Sequence, residues 1–217
     1  MKTSIFNFRC FDSSAQALKL KTMKTLFLKT TLLFFALTFS NCENNDPQDQ
    51  LPAITQTGAN TFGCLVDGSV FVPKDSEGYY APGGGNTKGL TISSGDGIKN
   101  INYYAIATAN YINSDTYIYI YVPEDRPEQK EYTFKSSPGV PSSLNKPNFP
   151  HVFCYINDRK YISYENSGTI NFQKIDFNQE VCAGVFSGKL KNENDPTDII
   201  EITEGRFDLI CTAPLGA

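Results

Sequence analysis

From Tyr117 to Val122 the chain reads Tyr-Ile-Tyr-Ile-Tyr-Val, with tyrosines and aliphatics strictly alternating. A period of two is that of a strand, whose side chains point to opposite faces of a sheet. Phe62 to Val66 and Ser69 to Pro73 flank Asp67-Gly68. That dipeptide between two β-rich runs predicts a hairpin, because a type I′ turn needs positive φ at both central residues. Further strands are expected at Gly89 to Ser93, Asn100 to Ala109, Glu131 to Lys135, His151 to Ile156 and Lys160 to Tyr164. Gly168 to Lys174, Glu180 to Leu190 and Ile199 to Cys211 complete the set. Clusters of Pro, Gly, Asn, Asp and Ser separate these runs, and no stretch beyond Cys42 keeps a helical period over about ten residues. Roughly ten short strands predict an all-β fold, an antiparallel β-sandwich or a partly open barrel. No Pro/Gly linker divides residues 60–217, which read as a single domain. Pro123 to Pro127 and Pro138 to Pro150 fit long strand connections.

The N-terminus follows a different pattern. Lys24 and Lys29 precede an uncharged run rich in Leu and Phe, Thr30 to Phe39. That run is about half the ~20 apolar residues of a spanning helix, so residues 23–41 read as a signal peptide. Its end, Phe39-Ser40-Asn41-Cys42, resembles a lipobox, the site at which bacterial lipoproteins are cleaved and acylated on the new N-terminal Cys. Asn41 stands where Gly or Ala is usual, as in the looser lipoboxes of Bacteroidetes lipoproteins. Cys42 is therefore the expected lipidation site. Acyl chains contribute roughly 0.8 kcal/mol per buried CH2, so several chains anchor durably. Residues 1–22 precede a second Met-Lys-Thr at Met23 and read as a misannotated extension, which places Cys10 outside the fold. Residues 42–59, polar and carrying Pro47 and Pro52, read as a flexible tether.

Charge and composition narrow the function. The whole chain carries a formal charge of -4 from 19 basic and 23 acidic residues. Loss of residues 1–41 removes six of the former and one of the latter, which makes the mature chain markedly acidic. Nucleic acid is thus an unsuitable partner, and the expected membrane contact is the acyl group and not the protein surface. A single His, His151, leaves little room for a His-based metal site or a catalytic triad. It follows Pro150 at a strand start and reads as an edge residue. Of the six cysteines, Cys64, Cys154, Cys182 and Cys211 remain as disulfide candidates in an exported domain. Cys182 and Cys211 are equidistant from the middle of the loop Asn192 to Asp198. An antiparallel pair closed by that loop brings them nearly opposite, with Cys64 and Cys154 left over.

Two further stretches carry the resemblance. Thr57-Gly58, Asn60 to Gly68 (Asn-Thr-Phe-Gly-Cys-Leu-Val-Asp-Gly) and Val70-Phe71-Val72-Pro73 resemble the opening of a group of Bacteroidetes lipoproteins of unknown function. Phe71 stands where that group usually has Trp. Gly168-Thr169-Ile170, Ile175-Asp176, Ser187-Gly188 and Ile202 to Asp208 resemble its closing strands, with Ala183-Gly184-Val185-Phe186 the nearest match to its Ser-Gly-Thr-Phe turn. The resemblance implies an all-β fold and an outer-membrane location, periplasmic or cell-surface facing, and implies no activity.

Candidate chemistry is sparse. The glycine run Pro82 to Gly89 lacks the Gly-Lys-Ser/Thr ending of a phosphate loop and has no helix after it. Asn192 to Asp198 gathers oxygens but not in the order of a calcium loop, and reads as a hairpin loop. No cofactor, metal or catalytic set is expected. The tyrosine stripe Tyr117, Tyr119 and Tyr121, with Tyr103, Tyr104 and Tyr111 in the neighbouring segment, is the candidate binding face, since tyrosine pairs a flat apolar body with a polar tip. The leading expectation is a binding or interaction accessory module that meets a protein or glycan. The alternative is a barrel carrying a small apolar ligand, in which Ile118, Ile120 and Val122 line a cavity. A hydrolytic enzyme ranks last.

Overall fold

The computed structural model describes residues 46–77, 87–97, 101–112, 115–124, 126–141 and 147–211. The expected extension 1–22, signal peptide 23–41, lipidation site Cys42 and residues 82–86 of the glycine run lie outside them. Eleven strands follow in chain order: β1 Thr61–Val66, β2 Ser69–Phe71, β3 Leu90–Gly97, β4 Ile101–Ala109, β5 Tyr117–Val122, β6 Glu131–Thr133, β7 His151–Ile156, β8 Arg159–Ile162, β9 Gly168–Asp176, β10 Val181–Asn192 and β11 Ile199–Ile210. Each falls on a run read as a strand from the sequence, with ends shifted by a few residues.

The strands form one antiparallel sheet curled into a half-barrel, in the order β2-β1-β11-β10-β8-β7-β5-β4-β3. The twelve-residue β10 is where the sheet forks. Its Val181 to Gly188 pair with β9, while Lys191 and Asn192 pair with β8. β6 pairs with the outer edge of β9. β11 is interior, bonded to β10 on one side and to β1 on the other. Tight turns close the hairpins as their residues dictate. Asp67 and Gly68 have φ of 47° and 74°, and Asn157 and Asp158 between β7 and β8 have 47° and 64°.

The concave face is the core. Phe62 and Cys64 of β1, Ile118, Ile120 and Val122 of β5, Phe172 of β9 and Leu209 of β11 are at most 2% exposed and belong to one packed cluster. Ile118, Ile120 and Val122 therefore fill the interior and do not line a ligand cavity. Gly184 sits where two strands and a ring converge. A Cβ there would lie 2.2 Å from the Asn171 carbonyl oxygen and 2.7 Å from the Phe207 ring.

The segment read as a flexible tether is bound to the sheet from Asp46 onward. Asp46 caps a 3-10 turn, Pro47–Gln50, through a hydrogen bond donated by the Gln48 amide. Leu51 is buried, and Pro52 packs where Gly63 has no side chain; a Cβ on Gly63 would come within 2.6 Å of the proline ring. Buried Asp208 of β11 then accepts hydrogen bonds from the Thr55 hydroxyl, the Thr57 amide and hydroxyl, and the Gly58 amide. Lys174 reaches the Gln56 carbonyl. A strap and not a tether covers the first strand, because its polar groups find partners about 150 residues away.

Cys182 and Cys211 are bridged, with their Cα atoms 5.8 Å apart. They are diagonal and not directly opposite, since Cys182 faces Leu209 in the register of β10 and β11. Cys64 and Cys154 are buried thiols.

Candidate functional site

The alternation of β5 places Ile118, Ile120 and Val122 in the core and sends Tyr117, Tyr119 and Tyr121 to the outer face. On that face β7 sets an aromatic ring opposite each tyrosine: Tyr117 faces Tyr155, Tyr119 faces Phe153 and Tyr121 faces His151. On the other side β4 sets an alanine opposite each, namely Ala109, Ala107 and Ala105. Small residues on one flank leave the rings room to pack on the other. The result is a continuous row. Tyr103 stacks on Tyr121 at 6.1 Å between ring centroids, Tyr121 on His151 at 4.9 Å, and Tyr119 on Phe153 at 5.0 Å. Tyr117 follows at 6.0 Å from Phe153 and 6.3 Å from Tyr155. Offset and tilted pairs of this kind contribute beyond the area they bury.

The row differs from the expected open stripe. Tyr121 is 1% exposed and Tyr119 6%. At this end the connection between β6 and β7 is bonded to the row: the Tyr121 hydroxyl donates to the Pro147 carbonyl, and Ser137 pairs its hydroxyl with His151 Nδ1 at 3.1 Å. His151 is likewise no edge residue. It is fully buried opposite Tyr121 of β5, and its Nε2 has no partner among the described residues. Burial lowers its pKa to about 4, so the ring is neutral. The Ser137 hydroxyl also accepts the Gly139 amide, so the pair fastens the connection over the sheet. The sequence signal for this was the proline-rich stretch before His151, read only as a long connection.

The opposite end of the row is open. Tyr117 and Tyr155 are half-buried, and Tyr111 and Ile112, in the turn after β4, are 50% and 45% exposed. Burial, then the neighbouring hydroxyls of Tyr119, Tyr111 and Tyr155, push Tyr117 up to about 12. Lys160 lies 5.6 Å over the Tyr155 ring, and its ammonium is held by Glu193 at 3.1 Å. Three phenols and an isoleucine thus make an amphipathic patch: flat apolar faces, hydroxyls that donate and accept, and one lysine at the rim. The tyrosine of the original stripe that takes part is Tyr117. Tyr104 points into the core, and Tyr103 stands at the closed end.

Other candidates resolve into structure. Asn192 Nδ2 and the Tyr161 hydroxyl both donate to Asp198, while Asp195 accepts the Thr197 amide and hydroxyl, so the oxygens of this loop are engaged in shaping it. Thr87 to Gly89, the described end of the glycine run, is tied to Ser76 and Asp75. A surface cleft of about 380 Å3 lies between the strap and β9 to β11, lined by Ile54, Glu131, Asn171, Glu204 and Arg206 among others. Glu204 has a φ of 53° in a bulge opposite Phe186 to Gly188, and Arg206 holds its carboxylate at 2.9 Å. Gln48 of the strap donates to the same carboxylate oxygen. The strained glutamate therefore serves to fasten the strap. Among the described residues no group of three or more His, Cys, Asp and Glu converges as metal ligands. No family model, no curated protein and no solved structure matches the chain.

Proposed function

We propose that the protein is an exported, lipid-anchored accessory module of the outer membrane whose β-domain meets a protein or glycan through the open end of its tyrosine row. The lipobox-like Phe39 to Cys42 supports the anchor. The observation that carries the binding role is the open patch at the end of an otherwise covered aromatic row, where Tyr111 and Ile112 are exposed beside half-buried Tyr117 and Tyr155. A rigid stack ending in partly open rings offers contact area at low entropic cost, as binding surfaces require. A carrier role has less support, since the aliphatics of β5 are consumed by the packed core.

Two experiments test the parts separately. Cys42→Ala in a host that processes lipoproteins should move the protein from the membrane to the soluble fraction; retention in the membrane overturns the anchor. For the face, Tyr117→Ala with Tyr155→Ala is compared with the unaltered protein on a panel of envelope polysaccharides by affinity electrophoresis. A photocrosslinker at position 111 reads protein contacts in intact cells. Retarded migration lost in the variant identifies a glycan, and a discrete crosslink identifies a protein. Unchanged migration and no crosslink remove the patch as a binding site.

A further inference from the structure

Cys64 and Cys154 are both fully buried and belong to the same core cluster, although they come from β1 and β7, which do not pair in the sheet. Their heights in the core can be matched. A cleft at one rim is lined by Val66 and Asp67 at the end of β1 and by Ile156 at the end of β7. Both strands run toward that rim. Cys64 stands two residues inward from Val66, and Cys154 two residues inward from Ile156, each on the core-facing side of its strand. Two residues of strand are about 7 Å, so the two cysteines, free thiols in this structure, stand at about the same height in the core. After burial, the charge of Cys64 is the largest influence on the Cys154 thiol, followed by that of Asp67 at the same rim, which agrees with this placement.

We infer that Cys64 and Cys154 close a second disulfide, across the core, in the oxidised protein. It would tie β1 to β7, two strands that the sheet hydrogen bonds never join. The chemistry is thiol–disulfide exchange. One cysteine thiolate attacks a disulfide oxidant, forms a mixed disulfide and expels a thiolate. The second cysteine thiolate then attacks the cysteine sulfur of that mixed disulfide and expels the other. Two protons leave the cysteines, and their two electrons reduce the oxidant to two thiols. Burial raises both thiols above their ordinary range in the closed fold, so the attacking thiolate forms while the core is still open. Once the core closes, the bond is out of reach of reductants. The inference rests on the exported reading only for the source of the oxidant.

The test uses the full chain carrying Cys10→Ser and Cys42→Ser, so that four cysteines remain. It is reduced, unfolded and refolded in a buffer of oxidised and reduced glutathione, then denatured in an alkylating reagent without reductant and mapped by mass spectrometry. The expected result is a linked pair of peptides containing Cys64 and Cys154, beside the Cys182–Cys211 pair that serves as internal control. In a Cys154→Ala chain Cys64 should become alkylated while the control bridge persists. Alkylation of both Cys64 and Cys154 in molecules whose Cys182–Cys211 bridge has formed overturns the inference. The same map on protein from the native envelope separates the two readings. Refolded protein with both bridges, beside native protein with four free thiols, leaves the pairing intact and removes export to an oxidising compartment.

Discussion

Burial keeps the imidazole of His151 uncharged, with its pKa near 4 against an ordinary value near 6.5. The unfolded chain therefore takes up a proton between these values that the folded chain refuses. Stability is full above about pH 6.5 and falls as the pH drops toward 4, by a total on the order of 3 kcal/mol. Urea midpoints measured across this range should show the decline, and His151→Phe, which keeps a ring against Tyr121, should flatten it. Asp208 acts in a lower window. Burial alone would raise its pKa, but the donors of Thr55, Thr57, Gly58 and Ala59 outweigh that and hold it below the ordinary carboxylate value. Its contribution is present above about pH 4 and disappears as the pH falls further. Asp208→Ala should cost about 3 kcal/mol at neutral pH, because the buried partners of a charged acceptor lose it together. Limited proteolysis of that variant should cut first between residues 46 and 60. Neither role was legible from residue type: a lone histidine after proline looks like an edge, and an aspartate in a terminal strand looks solvated.

Elements were far more legible than their surroundings. Alternation located β5, and runs of β-forming residues between turn clusters located the other strands, because these signals lie in each strand's own sequence. The Asp67-Gly68 turn was legible because positive φ selects a few residue types. What alternation cannot tell is which face a connection will later cover. Tyr117, Tyr119 and Tyr121 share one face as their spacing requires, yet burial differs between them because Ser137 and Pro147, far along the chain, are bonded to one end of the row. The strap was opaque for the same reason, since Asp208 and Glu204 lie in the last strand. The Cys182–Cys211 bridge was legible to within the register, because a hairpin loop fixes which residues approach each other. It closes a loop of 29 residues in sequence separation. Cys182→Ser with Cys211→Ser should destabilise the domain by about 3–4 kcal/mol by the loop-closure argument, seen as a lower denaturation midpoint. The loss should be no smaller at high salt, since the bridge is not electrostatic.

For the molecule as a whole, one pairing governs when the fold can exist. Among the described residues β1, the first strand, is bonded to β11, the last, with Phe62 facing Phe207 and Thr61 facing Asp208. β11, which follows the other ten described strands in the chain, is thus an interior strand of the sheet, the partner of β1 and the holder of the strap. Contacts this distant in sequence make folding slow, on the order of milliseconds to seconds, and the native sheet is incomplete until β11 has been made. Until β11 is present, the strap has no Asp208 to hold it and β1 has no partner but β2. A chain ending at Asp198 should accordingly remain open to protease along its length. A resistant fragment from it would mean that the branch from β3 to β8 folds alone, and that the delay lies elsewhere.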